Sequence, residues 1–296
     1  SYGAEATQSQ GLTAFGADGF TVGTNTNING SSNTNVSWNW LAGNSTSSNS
    51  DGSITSTVSV NQTAGFSIIS YTSGQSGAFS IGHGLSSTPK MFIAKSRDST
   101  NNWGFYYTVR GTNTNFMTLD ASDAQGSNNA DPDANGVADG GGGYTGAYAV
   151  LSSSTISIAP NAYANSGTSA IGYCFAEVQG YSKFGSYTGN GSTNGTFIYT
   201  GFKPAWIMGK RADSANNWYI FDSTRSTFNV TDKKLRADQN AAENVDSSKT
   251  IDILSNGYKI KSSDAEFNAD AGSYIYLAFA ENPFVTAGTK AAGTAR

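Results

Sequence analysis

The segment Asp131-Pro-Asp-Ala-Asn-Gly-Val-Ala-Asp139 carries the sharpest chemical pattern in the chain. Asp131, Asp133, Asn135 and Asp139 offer oxygens at its first, third, fifth and ninth positions, and Gly stands at the sixth. That spacing matches the opening of a calcium loop, where alternate residues of a tight turn aim oxygens inward. Val137 adds a backbone carbonyl at the seventh position. The twelfth position, however, is Gly142, inside the run Gly140–Gly143, where such loops place a bidentate acid. No helical pattern flanks the segment. The two readings are a Ca2+ site and an acidic, Gly-rich surface loop.

A second pattern occurs twice. Lys95-Ser-Arg-Asp-Ser-Thr-Asn-Asn-Trp103 and Lys210-Arg-Ala-Asp-Ser-Ala-Asn-Asn-Trp218 agree without a gap at Lys, Asp, Ser, both Asn and Trp. As a carbohydrate site, Asp98, Asn101, Asn102, Asp213, Asn216 and Asn217 would bond hydroxyls while Trp103 and Trp218 stacked on sugar faces. As a turn, Asn tolerates left-handed geometry and Trp opens the next strand as core.

The single residues offer less. His83 is the only histidine and lies in Ser80-Ile-Gly-His-Gly-Leu85, and the matching stretch Tyr199-Thr-Gly-Phe202 puts Thr in its place. Cys174, the only cysteine, aligns with Asn39 and Ala278, so the position is not reserved for a thiol. Glu177 and Glu281 share a position, with Ala42 as the third counterpart. One carboxylate per copy lacks the second acid of glycoside hydrolysis.

These comparisons rest on internal repetition. Asp18-Gly-Phe-Thr-Val22 lines up with Ser154-Thr-Ile-Ser-Ile158 and Asn256-Gly-Tyr-Lys-Ile260. Val36-Ser-Trp-Asn-Trp40 lines up with Ile171-Gly-Tyr-Cys-Phe175 and Ile275-Tyr-Leu-Ala-Phe279. Apolar residues at alternate positions in all three mark strands with a buried face. The expected organisation is a truncated copy at 1–43, a polar linker at 44–64, full copies at 65–180 and 181–284, and a tail at 285–296. Within the linker, Ile54, Val58 and Val60 have the spacing of a short edge strand. Residues 1–43 form only the closing half of a copy, so they are expected to gain strands from an intermolecular partner or to be loosely ordered. No linker separates the two full copies, which predicts a fixed relation between them.

In the first full copy, strands are predicted at 65–72, 78–82, 90–95, 104–109, 116–120, 148–151, 155–159 and 169–178. Short strands at this spacing point to an all-β chain of tandem antiparallel β-sandwich repeats, of the jelly-roll, lectin-like kind. Composition agrees. Charged residues are 13% of the 296, against about 25% in ordinary globular chains, and Gly (35), Ser, Thr and Asn take their place. With 15 Tyr, 16 Phe and 5 Trp, the chain has ample material for a core. The net charge of −4 argues against a nucleic-acid partner, which needs a basic footprint. No apolar run approaches the roughly 20 residues of a membrane span, so membrane insertion is not expected. The chain opens Ser1-Tyr-Gly without an initiator Met or leader, the expectation for a processed or excised piece of something longer.

Several stretches resemble the repeated β-domains of tail and tail-fibre-like virion proteins of marine bacteriophages and cyanophages. They are Ala64-Gly-Phe-Ser-Ile-Ile-Ser-Tyr-Thr72, Ile81-Gly-His-Gly-Leu85, Pro89-Lys-Met-Phe-Ile-Ala-Lys95, the run Tyr173 to Gly191, Gly201-Phe-Lys-Pro-Ala-Trp206 and Phe279-Ala-Glu-Asn-Pro-Phe284. The likeness covers about 65–284 and the half copy at 1–43. It implies a non-enzymatic surface protein of the virion, extracellular and homo-oligomeric, a trimer among the candidates. Its implied partners are other tail proteins and a host-surface glycan or receptor. The likeness brings no catalytic residues, and the acidic loop is not part of it.

Two other classes compete: a glycan-binding lectin-like module of a bacterial or viral surface protein, and a polysaccharide depolymerase. The second needs paired acids or a triad that the copies do not share. If the acidic loop binds calcium, Ca2+ raises the melting temperature and Asp131→Ala abolishes the rise. An equal response in the variant would exclude the site.

Overall fold

The computed structural model describes residues 3–73, 78–110, 115–125, 149–158 and 167–282. It begins with a hairpin of β1 (Leu12–Phe15) and β2 (Phe20–Val22), then one helical turn at Thr26–Asn29. A first unit follows with β3 (Ser47–Asn49), β4 (Ser56–Asn61), β5 (Phe66–Thr72), β6 (Phe79–Gly82) and β7 (Met91–Ser96). It continues with β8 (Gly104–Tyr107), β9 (Asn115–Thr118), β10 (Ala149–Leu151), β11 (Thr155–Ile158) and β12 (Ser169–Phe175). The second unit opens with β13 (Ser182–Thr188), β14 (Phe197–Tyr199), β15 (Pro204–Arg211) and β16 (Tyr219–Asp222). Two short strands, β17 (Lys233–Lys234) and β18 (Asn244–Val245), precede β19 (Ile251–Leu254), β20 (Gly257–Ile260) and β21 (Ser273–Ala280). The chain is thus nearly all β, in several antiparallel sheets.

The two units share one strand order. The larger sheet of the first runs β3-β4-β5-β12-β7-β8-β9 and its smaller sheet β10-β11-β6. The second has β13-β21-β15-β16 and β14-β20-β19. Exchanging β5, β12, β7 and β8 for β13, β21, β15 and β16 converts one large sheet into the other, and the small sheets correspond in the same way.

Each large sheet is buried on both faces. Along β7, Phe92 and Ala94 meet the small sheet through a core with Ile81, Ile156 and Ile158, while Met91 and Ile93 turn the other way. In the second unit Ile207, Tyr276 and Ala278 pack with Ile198, Tyr258 and Ile260. Trp206, Met208, Ile275, Leu277 and Phe279 point out of that core and meet Phe66, Met91, Phe105, Tyr107 and Phe175 of the first unit. The larger sheets therefore stack face to face, with a small sheet outside each. Double burial explains why Met91–Ala94 and Ile275–Phe279 are apolar at every position; the alternation of Ile275, Leu277 and Phe279 predicted one buried face, and Tyr276 and Ala278 bury the other.

Two stretches differ from expectation. Residues 44–64 hold more than a linker with a short edge strand: Val58 and Val60 lie in β4, which pairs with β3 on one side and β5 on the other, with Ser56 and Val58 buried. Residues 36–40 are not a strand. Trp38 and Trp40 instead leave an extended arm and enter the layer between the large sheets. Trp40 sits edge-on to Trp206 and Phe279, both at 5.3 Å, and to Phe175 at 6.3 Å. Such pairs contribute about 0.5–1.5 kcal/mol each beyond burial. The Trp38 indole donates to Asp222 at 3.3 Å, and Asp222 also holds Arg225, whose guanidinium lies 5.8 Å from the Trp38 ring.

Phe279 touches Trp40, Phe175, Tyr181, Phe184 and Trp206, so its ring ties the arm and both units together. Phe279→Ala is expected to cost about 3–5 kcal/mol. In denaturant, both units should unfold in one transition, followed by tryptophan fluorescence and far-UV dichroism. Two separable transitions would contradict the shared core.

Candidate functional site

The duplicated turns fold from their inward lysines. Lys95 Nζ donates to the carbonyls of Ser96 at 2.6 Å and Ser99 at 3.1 Å. Lys210, 0% exposed, donates to Asn216 O at 2.5 Å and, across the unit boundary, to Ser122 O at 3.0 Å. Burial pushes Lys210 down to about 8, against the pull of Asp238 and Asp123. Asp98 accepts the N–H of Ser169, where β12 begins, at 2.6 Å. Asp213 does the same for Ser273 at the start of β21, and also accepts from Arg211 at 2.7 Å. These bonds hold both carboxyls below their ordinary range. The repeated residues thus fasten a turn to the last strand of each unit, which accounts for their recurrence.

The two tryptophans diverge. Trp218 is 0% exposed, its indole donates to Thr118 O at 2.9 Å, and its ring lies 4.8 Å from Phe105. Protein covers both its faces, so it offers no platform for a sugar. Around it, the Asn216 N–H donates to Ser122 O, and Asn217 accepts from Gln239. In the first unit the turn stays at the surface. Trp103 is half-buried and stacks on Tyr173 at 6.4 Å with 24° between the planes. Asn101, bonded to Ser99, and Asn102 are half-buried beside it, and Asp98 is exposed.

Sequence reasoning missed three members of this patch, Tyr173, Arg97 and Glu5. Glu5, from the N-terminal arm, forms an ion pair with Arg97, and its backbone N–H donates to Arg97 O. The Arg97 bond lowers the Glu5 carboxyl, and burial raises the Tyr173 phenol. No pattern around Glu5 marks it, because its partner lies 92 positions away. The result is a stacked aromatic pair edged by a guanidinium and two carboxylates. That set can hold a polyhydroxylated ligand: rings take the C–H faces, and charged groups take the hydroxyls.

His83, Cys174, Glu177 and Glu281 are structural. His83 is buried, with Nε2–H directed to Ser152 O at 3.2 Å and Nδ1 accepting the Leu85 N–H at 3.1 Å. Burial lowers its pKa. Cys174 lies in the first unit's core, where burial pushes its thiol up and out of nucleophilic range. Glu177 pairs with Lys183 at 2.8 Å, and Glu281 with Lys203 at 2.6 Å. Asp131, Asp133, Asn135, Val137 and Asp139 lie outside the described residues. Among the described residues, no three His, Cys, Asp or Glu side chains converge on a metal-sized space. Nor is any helix among them long and apolar enough to cross a membrane.

The hairpin, the arm and both units fall within a single family match over residues 1–283, described as Domain of unknown function (DUF7483). The chain belongs to this family. Its span takes in the arm that carries Glu5, Trp38 and Trp40 as well as both stacked units, so the DUF7483 match and the shared core cover the same chain. No curated protein and no solved structure matches the chain.

Buried neutral His83 sets a pH dependence. The unfolded imidazole takes up a proton near its ordinary 6.5, whereas the folded one resists until lower pH. The unfolded state therefore binds more protons as pH falls through that range, and stability drops. The urea midpoint should be lower at pH about 5.5 than at about 7.5. His83→Gln should flatten this slope, and an unchanged slope in the variant would contradict the assignment.

Proposed function

We propose that the chain is a non-enzymatic surface protein of a phage virion, a tail fibre or appendage that contributes to host attachment. Its ligand surface is the Trp103–Tyr173 patch. The observation that carries this reading is how the reactive side chains are used. His83, Cys174, Lys95, Lys210, Glu177 and Glu281 each serve packing, hydrogen bonds or ion pairs within the fold. The Trp103–Tyr173 pair, with Arg97, Glu5 and Asp98, combines ring faces with exposed charge on one unit. A rigid stack that presents one such patch suits attachment better than turnover.

Strand order supports a jelly-roll-type winding for each unit. The first core strand pairs with the last, as in β5·β12 and β13·β21. The second pairs with the one before the last, as in β6·β11 and β14·β20. A rolled-up hairpin produces this nesting.

A lectin-like module of a bacterial or other viral surface protein is the second reading, favoured by the same stacked rings. Both readings place the chain outside the cell, facing a host glycan or receptor. Binding to host cells and to a glycan array is the test. Trp103→Ala should weaken binding by about tenfold, the worth of one stacked ring, with the melting temperature nearly unchanged. Undiminished binding by the variant would remove the patch from the proposal. Release of reducing sugar from host polysaccharide would overturn the non-enzymatic reading altogether.

A further inference from the structure

The ion pair beside Trp103 and Tyr173 differs from the other arginine–carboxylate pairs among the described residues. Arg225 pairs with Asp222 and Glu243, Arg236 with Glu266, and Arg211 with Asp213, their arginine side chains 11%, 22% and 18% exposed. In each of these the acid belongs to the same unit as its arginine. Arg97 and Glu5 are 39% and 57% exposed along their side chains. Here the acid comes from a segment ahead of β1, outside the unit that carries the arginine.

Arg97 directly follows β7, and its backbone N–H donates to Ser169 O at 2.8 Å. Its guanidinium turns one edge to Glu5: Nε donates to Oε2, and Nη2 donates to Oε1 at 3.0 Å. Two parallel bonds of this kind are the fork by which arginine recognises a planar carboxylate. The Tyr173 phenol, raised mainly by burial, is raised further by Glu5 and lowered by Arg97, so both charges act on this ring. Tyr173 stacks on Trp103. The carboxylate held by Arg97 therefore lies at the margin of the stacked pair.

The second unit shows that neither residue is needed for the turn. Its Lys210, Asp213, Asn216, Asn217 and Trp218 repeat the framework, but Ala212 stands in the place of Arg97 and Leu277 in that of Tyr173. Both are buried. The fork and the ring beside it belong to the first unit alone, at the turn that stays on the surface.

An exposed ion pair is weakly held. Glu5 is also tied by its backbone N–H to Arg97 O at 2.6 Å, so its side chain can leave the fork while the segment stays in place. A saccharide whose carboxylate stands directly on the pyranose ring can fill the fork and lay its C–H face on the aromatic pair at once. A neutral sugar has nothing to offer in exchange for Glu5. Resting on the reading of this patch as the ligand surface, we propose that its ligand is a carboxylate-bearing saccharide of the uronate type. Glu5 is the built-in stand-in for the ligand carboxylate and is displaced from Arg97 on binding.

The test is an array of uronate-containing, sulfated, phosphorylated and neutral saccharides probed with the full chain. Titration follows with the strongest binder and with the same saccharide methyl-esterified at its carboxylates. The bound saccharides should carry uronates, and esterification should weaken binding about tenfold. Glu5→Gln removes the internal competitor and should tighten uronate binding roughly twofold to fivefold, the worth of an exposed pair. Arg97→Gln should abolish binding, and Arg97→Lys, which keeps the charge without the fork, should restore only part of it. Melting temperatures of the three variants should stay close to that of the unaltered chain, since both side chains are at the surface. Neutral saccharides bound in a way that Trp103→Ala weakens, but Glu5→Gln and Arg97→Gln do not, would keep the patch and overturn this inference. Selection of sulfated or phosphorylated saccharides without carboxylates, or weaker uronate binding by Glu5→Gln, would overturn it too. A chain that binds no saccharide at all would remove the patch as a glycan surface, and this inference with it.

Discussion

The apolar layer between the two large sheets is the constraint on which the rest of the molecule depends. Each large sheet already has one face committed to its own small sheet. Trp206, Met208, Ile275, Leu277 and Phe279 on one side, and Phe66, Met91, Phe105 and Phe175 on the other, would be open to water without the opposite unit. Burial of apolar surface at about 25 cal/mol per Å2 makes face-to-face stacking the largest stabilisation open to these surfaces. The polar contacts across the boundary follow from it. Lys210 reaches Ser122 O, the Trp218 indole reaches Thr118 O, and the Gln125 N–H reaches Ala212 O because the sheets have been brought together.

The same layer explains the arm and the fate of the repeated turns. Trp38 and Trp40 fill the margin of the aromatic layer, so the arm is held by ring packing and not by a strand ladder. Glu5, ahead of the hairpin, is held to Arg97 beside Trp103 and Tyr173 by its own ion pair and backbone bond. In the second unit the equivalent tryptophan, Trp218, faces the boundary and is covered, while Asp213 stays exposed and Asn216 and Asn217 half-buried. Duplication supplied two copies of one motif, and stacking left only one of the two tryptophans at the surface.

Much of the fold was legible because turn residues punctuate it. The predicted strands at 65–72 and 90–95 differ from β5 and β7 by a residue at their ends, and the strand predicted from 155 begins there as β11. The structural role of Lys95, Asp98 and their counterparts was also within reach, since the copies agree at those positions and differ at His83 and Cys174. What covers the second face of a sheet was not legible. Periodicity reports that a residue is buried, not by what, and the continuous apolar runs of β7 and β21 were the only trace of double burial. Residues 36–40 carried strand spacing, yet two tryptophans two apart suit a packed arm equally well. In residues 44–64 the strand spacing of Val58 and Val60 was legible, but their Ser- and Thr-rich surroundings read as an edge, whereas β4 lies between β3 and β5. The Trp103 patch was half legible: the tryptophan stood out, but Glu5 and Tyr173 join it only through the fold.

Production of residues 181–282 alone tests the shared core most directly. The account predicts a chain that exposes Trp206, Trp218, Ile275 and Phe279, binds a hydrophobic dye, lacks a cooperative melt and regains one when residues 3–180 are supplied. A soluble monomer with a sharp melting transition of its own, indifferent to the rest of the chain, would contradict it.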